Sequence, residues 1–149
     1  ATPMGFGDVY TELQSKIIDG AENNEMALTD NGHGDVCKYY SYDMHQMIPD
    51  ILIGNIAFLD GLSEEERAVF DEGFELVNQV QREEWVTAVE NAKDRAENEQ
   101  GVHFIYPDTA PFQVACAPMH DAMLEQYPDL KPIYDAIQAY NKQYPSTES

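Results

Sequence analysis

The sequence predicts an α/β chain in which helices dominate, and three observations carry that prediction. First, Phe70, Phe74, Val77, Val80, Trp85, Ala88 and Ala92 recur at helical spacing behind a Ser63/Glu66 capping-box pattern. The helix they define runs to about Glu99, far beyond the mean of about 11–12 residues. Second, two short β-rich apolar runs, residues 51–53 and 102–106, read as strands, the first of them covered on both faces. Third, 43% hydrophobic content over 149 residues excludes disorder and suits one domain, residues 1–149, with no linker and no internal repeat. Two strands make no stable sheet by themselves, so the pattern describes part of a larger fold.

The first helix is expected over residues 8–18, with Val9, Leu13, Ile17 and Ile18 on one face and Asp8 as N-cap or first-turn acid. Gly20 is the natural residue to end it, because a left-handed turn is cheap without a Cβ. Behind that turn stand Glu22, Asn23 and Asn24. Two amides at a forced turn, each with donors and an acceptor, describe a polar recognition corner; the same residues also describe a solvated helix terminus. Residues 29–35 are dense in turn formers. A second short helix is expected to follow, with Val36, Tyr39 and Tyr40 as apolar contacts.

Pro49 belongs near the start of the strand at 51–53. The long helix opens at Ser63 and stops at Gly101. Residues 60–100 hold 13 acids and 4 bases, so its outer face is expected to be charged and solvated. Pro107 and Asp108 end the second strand, and Asp108 or Thr109 caps a helix to about Gln126 that Pro118 should kink. Pro128 separates a last helix, 131–142, whose apolar face is Ile133, Ile137 and Tyr140. Residues 145–149 should fray.

The formal charge is 8 − 28 = −20, with a pI near 4.1. Such a field repels phosphate backbones and anionic membranes, which argues against a nucleic-acid partner. No run approaches the roughly 20 apolar residues of a membrane helix. The opening Ala1-Thr2-Pro3-Met4 shows no signal peptide, though a mature or trimmed chain would also lack one. Cys37 and Cys116 lack CxxC spacing and read as two buried free thiols, with a single disulfide left open.

No catalytic motif is present. His33, His45, His103 and His120 form no HExxH, and there is no GxSxG, P-loop or GxGxxG. His33/Asp35 and His120/Asp121 fit a surface or capping role better than a metal site. Asp30-Asn31-Gly32 lacks the full calcium-loop register. Asp19 and Glu22 form a carboxylate pair of the kind chance produces in so acidic a chain. The expectation is a protein that is no enzyme, with no cofactor and no metal.

The run Pro3-Met4-Gly5-Phe6-Gly7-Asp8-Val9-Tyr10, then Leu13-Gln14, then Asp19-Gly20-Ala21-Glu22-Asn23-Asn24 resembles a known family. So do His33, Lys38-Tyr39-Tyr40-Ser41, His45, Ile48-Pro49-Asp50, the run at 51–53 and Leu62-Ser63 before a long acidic helix. The family is the solute-binding proteins of tripartite ATP-independent periplasmic (TRAP) transporters, C4-dicarboxylate-binding type. The resemblance covers nearly the whole chain and matches the family's C-terminal half. It implies the C-terminal portion of a two-lobed, type II-like periplasmic-binding-protein fold. It implies a receptor, periplasmic or lipid-anchored outside the cell, that closes over an organic acid and delivers it to a membrane permease. It places Asn23 at the ligand, with Asn24 beside it and Phe6 as the aromatic wall. The Asn-Asn form leans toward sugar acids such as uronates, with C4-dicarboxylates next.

Two departures accompany the resemblance. The family's carboxylate-binding Arg lies upstream of Pro3, while Arg67, Arg82 and Arg95 sit on the long helix and match no ligand position. Glu25 stands where many relatives carry Pro or an aromatic, and Gly34 replaces an aromatic; Glu25 is expected to face solvent. The chain alone is therefore expected not to bind its acid with native affinity, and to self-associate through uncovered surface. The competing reading is an independent acidic helical module for a basic protein partner.

Overall fold

The computed structural model describes residues 1–144, so the expectation for 145–149 lies outside the described residues. Seven α-helices and two strands occur among them, in the order α1 (Phe6–Gln14), α2 (Met26–Thr29), α3 (His33–Val36), β1 (Tyr39–Ser41), α4 (Ile56–Asp60), α5 (Glu64–Asn98), β2 (His103–Ile105), α6 (Ala110–Gln126) and α7 (Lys131–Gln143). A 3-10 turn, Pro128–Leu130, leads into α7. The chain divides into two compact units, one from Ala1–Tyr40 with Ile48–Phe104, the other from Ser41–Met47 with the chain from Ile105 onward.

The core of the first unit forms where α2 meets the C-terminal end of α5. Ala92 and Ala96 lie four residues apart on one face of α5, and their small side chains admit a close neighbour. Leu28 of α2, Ala96 and Val102 make one buried cluster, with Tyr40 and Phe104 packed against it. Ala96 is 0% and Val102 1% exposed. Gly101 makes this possible. Its φ of 68° reverses the chain after α5, and the Val102 N–H then donates back to the Ala96 carbonyl at 2.9 Å. Val9 and Leu13 complete the core from α1.

The Ser63 capping box is present: the Glu66 N–H donates to Ser63 Oγ at 3.3 Å, and the Ser63 N–H donates to the Glu66 carboxylate at 2.9 Å. That bonding holds the Glu66 carboxyl below its ordinary pKa. The helix it opens is 35 residues long. The charged outer face is there, but the apolar stripe is fully buried only at its C-terminal end. Ala92 is buried and Phe74 and Ala88 half-buried, while Phe70, Val77, Val80 and Trp85 are exposed.

Several local expectations are corrected. Residues 51–53 form no strand; Ile51, Leu52 and Ile53 are 75%, 61% and 83% exposed. A buried strand needs neighbours to hydrogen-bond, and the described residues supply none there. The turn-helices α2 and α4 were not anticipated; Asn55 caps α4 by accepting the Phe58 N–H at 3.0 Å. Tyr39 and Tyr40 lie on a strand, not a helix. β1 pairs with β2, and the ring contacts Tyr39–His103 and Tyr40–Phe104 climb both strands together, so the pair is parallel. The exposed Cys116 corrects the expectation of two buried thiols; Cys37 is half-buried, and both are free.

In the second unit Tyr42 stacks on Tyr106 at 4.9 Å and 10°. α6 runs through Pro118 as a single assigned helix. His120 of α6 meets Tyr134 of α7 edge-on at 5.8 Å. Neither α6 nor α7 buries a residue, so Ile133, Ile137 and Tyr140 are an apolar face without cover among the described residues.

Candidate functional site: a polar cleft behind the first helix

The first unit holds a cleft of about 270 Å³ between the α1–α2 loop, α3 and β1. Its loop begins earlier than the sequence implied. α1 ends at Gln14, and Lys16, not Gly20, takes the left-handed conformation, with φ 59°. The Ile17 N–H donates to the Glu12 carbonyl at 2.9 Å and the Lys16 N–H to Leu13 at 3.2 Å, the paired bonds of a Schellman motif. Asp8 is a first-turn acid, not the cap.

Asn23 and Asn24 line the cleft. Asn23 Oδ1 accepts the Asn24 N–H at 2.9 Å, and Asn24 Oδ1 accepts the Met26 N–H at 3.2 Å, the turn that opens α2. A backbone N–H can only donate, so these bonds fix which end of each amide is oxygen. Both NH₂ groups are left as donors with no acceptor among the described residues. Asp19, also in the lining, offers a carboxylate acceptor. The Tyr40 hydroxyl donates to the Asn23 carbonyl at 2.8 Å, tying the corner to β1.

His33 lines the cleft from α3. It is 6% exposed, which corrects the surface or capping role expected of it. Its ring stands 6.0 Å from that of Phe6. Burial lowers its pKa, so the ring is neutral near pH 7. Phe6 itself is 52% exposed and lies outside the cleft lining. Glu25 also lies outside the lining and stands at the N-cap of α2.

Lys38 contributes a cation to the lining, but its ammonium is engaged by two carbonyls, Gly34 at 2.8 Å and Gln100 at 2.7 Å. The Gln100 amide in turn donates to the Leu28 carbonyl at 3.0 Å and to Asp35 at 3.2 Å. Gly34 is required for this joint, since a Cβ there would run into the Gln100 amide. Burial raises the pKa of the neighbouring Cys37 thiol, partly offset by Lys38. Arg67, Arg82 and Arg95 stay on α5 outside the cleft, with Arg67 paired to Asp71 at 2.9 Å. The sequence pointed to Asn23 and Asn24 but missed Tyr40 as the tie on Asn23, and Lys38 and Gln100 as the fastenings of α3. The only local signal for these was the Lys38-Tyr39-Tyr40 run, because all their bonds but that from Lys38 to Gly34 span 17 to 72 residues of chain.

The arrangement presents amide donors, a carboxylate acceptor and a neutral imidazole on one wall. That inventory offers hydrogen-bond donors and acceptors of the kind that suit oxygen-rich small molecules.

Comparison with known proteins agrees with this chemistry. Residues 1–127 match the family described as bacterial extracellular solute-binding protein, family 7. A TRAP periplasmic solute-binding protein from Anaerococcus prevotii, crystallised with bound α/β D-glucuronate, is 65% identical with a TM-score of 0.90 over 98% of this chain and 47% of its own. Its counterpart from Sulfitobacter, with bound β-D-galacturonate, is 30% identical with a TM-score of 0.82 over 89% of this chain and 44% of its own. A curated solute-binding protein of Chromohalobacter salexigens is 34% identical over 93% of this chain and 41% of its own length. The chain thus spans rather less than half the length of these relatives, and the helix-dominated α/β fold is that of part of a two-lobed solute-binding protein. The chain belongs to the family of bacterial extracellular solute-binding proteins, family 7.

Proposed function

We propose that this chain forms part of an extracytoplasmic receptor, periplasmic or lipid-anchored, that binds a hexuronate and delivers it to the permease of a TRAP transporter. The observation that carries the reading is the pair of amides, Asn23 and Asn24, in the cleft lining with their oxygens engaged by the backbone, in a chain 65% identical to a protein holding D-glucuronate. Amide N–H groups suit carboxylate and hydroxyl oxygens, and Asp19 suits hydroxyl hydrogens. Phe6 supplies apolar surface at the edge of the site through its contact with His33. The remainder of the receptor would close the opposite wall and bring the cation that neutralises the solute carboxylate, since Lys38 is engaged and the arginines lie elsewhere.

Calorimetry and thermal unfolding of the full reading frame test this with D-glucuronate, D-galacturonate and succinate. A uronate at one hundred times its Kd should stabilise the protein by about 2.7 kcal/mol. The isolated chain should bind the same uronate far more weakly. Absence of any stabilisation of the full protein by all three acids would sink the proposal.

A further inference from the structure

We propose that His33 is a specificity-determining residue of the cleft, whose ring nitrogen hydrogen-bonds a hydroxyl of the bound acid. This deepens the function proposed above and rests on it. Three observations on the structure point to it. His33 is among the most buried residues of the first unit, at 6% exposure, and what remains accessible of it lies in the lining of the cleft. The residue lines the same cleft as Asn23, Asn24 and Asp19, so its accessible edge meets whatever fills that cleft. The ring is also held in place. Phe6 packs at 6.0 Å, and α3 is fastened by Lys38 at the Gly34 carbonyl and by Gln100 at Asp35.

The chemistry of the partner follows from the imidazole. Burial keeps the ring neutral, with one nitrogen donating and the other accepting. A hydroxyl donates and accepts, and so satisfies either tautomer. A carboxylate oxygen satisfies only the donor nitrogen, and a neutral ring gives it no charge partner. The imidazole therefore reads hydroxyl groups, and favours a polyhydroxylated acid over a plain dicarboxylate. A site built to hydrogen-bond a hydroxyl discriminates strongly against the analogue that lacks it.

The test uses the full reading frame and D-glucuronate with its monodeoxy analogues. His33→Phe keeps an aromatic ring and removes both nitrogens. It should weaken D-glucuronate binding 10- to 100-fold while the unliganded protein still melts cooperatively. One hydroxyl deletion should cost the wild type at least tenfold in affinity and cost the variant almost nothing. His33→Ala, measured in the same cycle, reports the same coupling should the phenylalanine variant not fold. Wild-type affinity in both folded variants, or equal losses for every deoxy analogue with and without the imidazole, would overturn the role of His33 alone. A wild-type protein that binds no uronate overturns the receptor reading and this inference together.

Discussion

The C-terminal end and the middle of α5 carry similar apolar spacing and meet opposite fates. At the C-terminal end Ala96 is fully buried against Leu28 and Val102. Earlier on the same helix Val77 and Val80 are 53% and 45% exposed, and Trp85 is 37% exposed. Periodicity states which face of a helix is apolar; burial depends on whether another element arrives to cover it. One end has α2 and the residue after Gly101 in place. The middle of the helix, like Ile51, Leu52 and Ile53, stays largely exposed among the described residues, while at its start Phe70 meets only the ring of Phe58 from α4, in a chain that spans less than half the length of its relatives.

Substitutions in the two regions should therefore behave differently. Ala96→Asp buries a carboxylate with no partner and should cost at least about 4 kcal/mol, seen as loss of cooperative urea unfolding. Val77→Asp should shift stability by no more than about 0.5 kcal/mol. It should instead lower the self-association expected of the isolated chain, measured by light scattering. Equal destabilisation at both positions would erase the contrast.

A smaller effect is expected at Lys16, where a side chain occupies a left-handed turn. Lys16→Gly should stabilise by about 1 kcal/mol in urea unfolding, since glycine relieves the steric cost without disturbing the Schellman bonds. A loss of stability would mean that the Lys16 side chain makes a contribution larger than the strain.

The smallest effect is in pH. Burial lowers the His33 pKa below its ordinary 6.5. As pH falls below 6.5 the unfolded chain takes up a proton at His33 before the folded one does, so stability present above that pH is lost toward the folded pKa. The urea midpoint should decline from pH 7 through that window in the wild type and decline less in His33→Phe. The bonded Asp43 and Glu66 carboxyls act separately, at lower pH, where their protonation removes stability.

What was legible in the sequence was local chemistry. Ser63 and Glu66 announce a helix start because both halves of the capping box lie within four residues. Gly101 announces its end for the same reason. Asn23 and Asn24 were legible as a corner because each amide bonds the backbone one or two residues on. The end of α1 was misplaced because glycine is the usual left-handed residue, and here Lys16 is held there by the helix's own terminal carbonyls. The strand of Tyr39 and Tyr40 was read as helix because its partner, β2, lies more than sixty residues away and leaves no mark on local spacing. The buried state of His33 is likewise set by α1 and α2, not by its neighbours in sequence.

The bonds from Lys38 and Gln100 have a mechanical consequence. They fasten the base of α5 to the elements that carry the cleft, while Tyr40 fastens β1 to the Asn23 backbone. No proline interrupts α5 over its 35 residues, so it is a stiff rod about 50 Å long anchored at one end. A tilt of about one degree at that anchored base moves the far tip by roughly 0.9 Å. Any tilt at that base is thus geared up along the helix into a displacement at Ser63, far from the cleft.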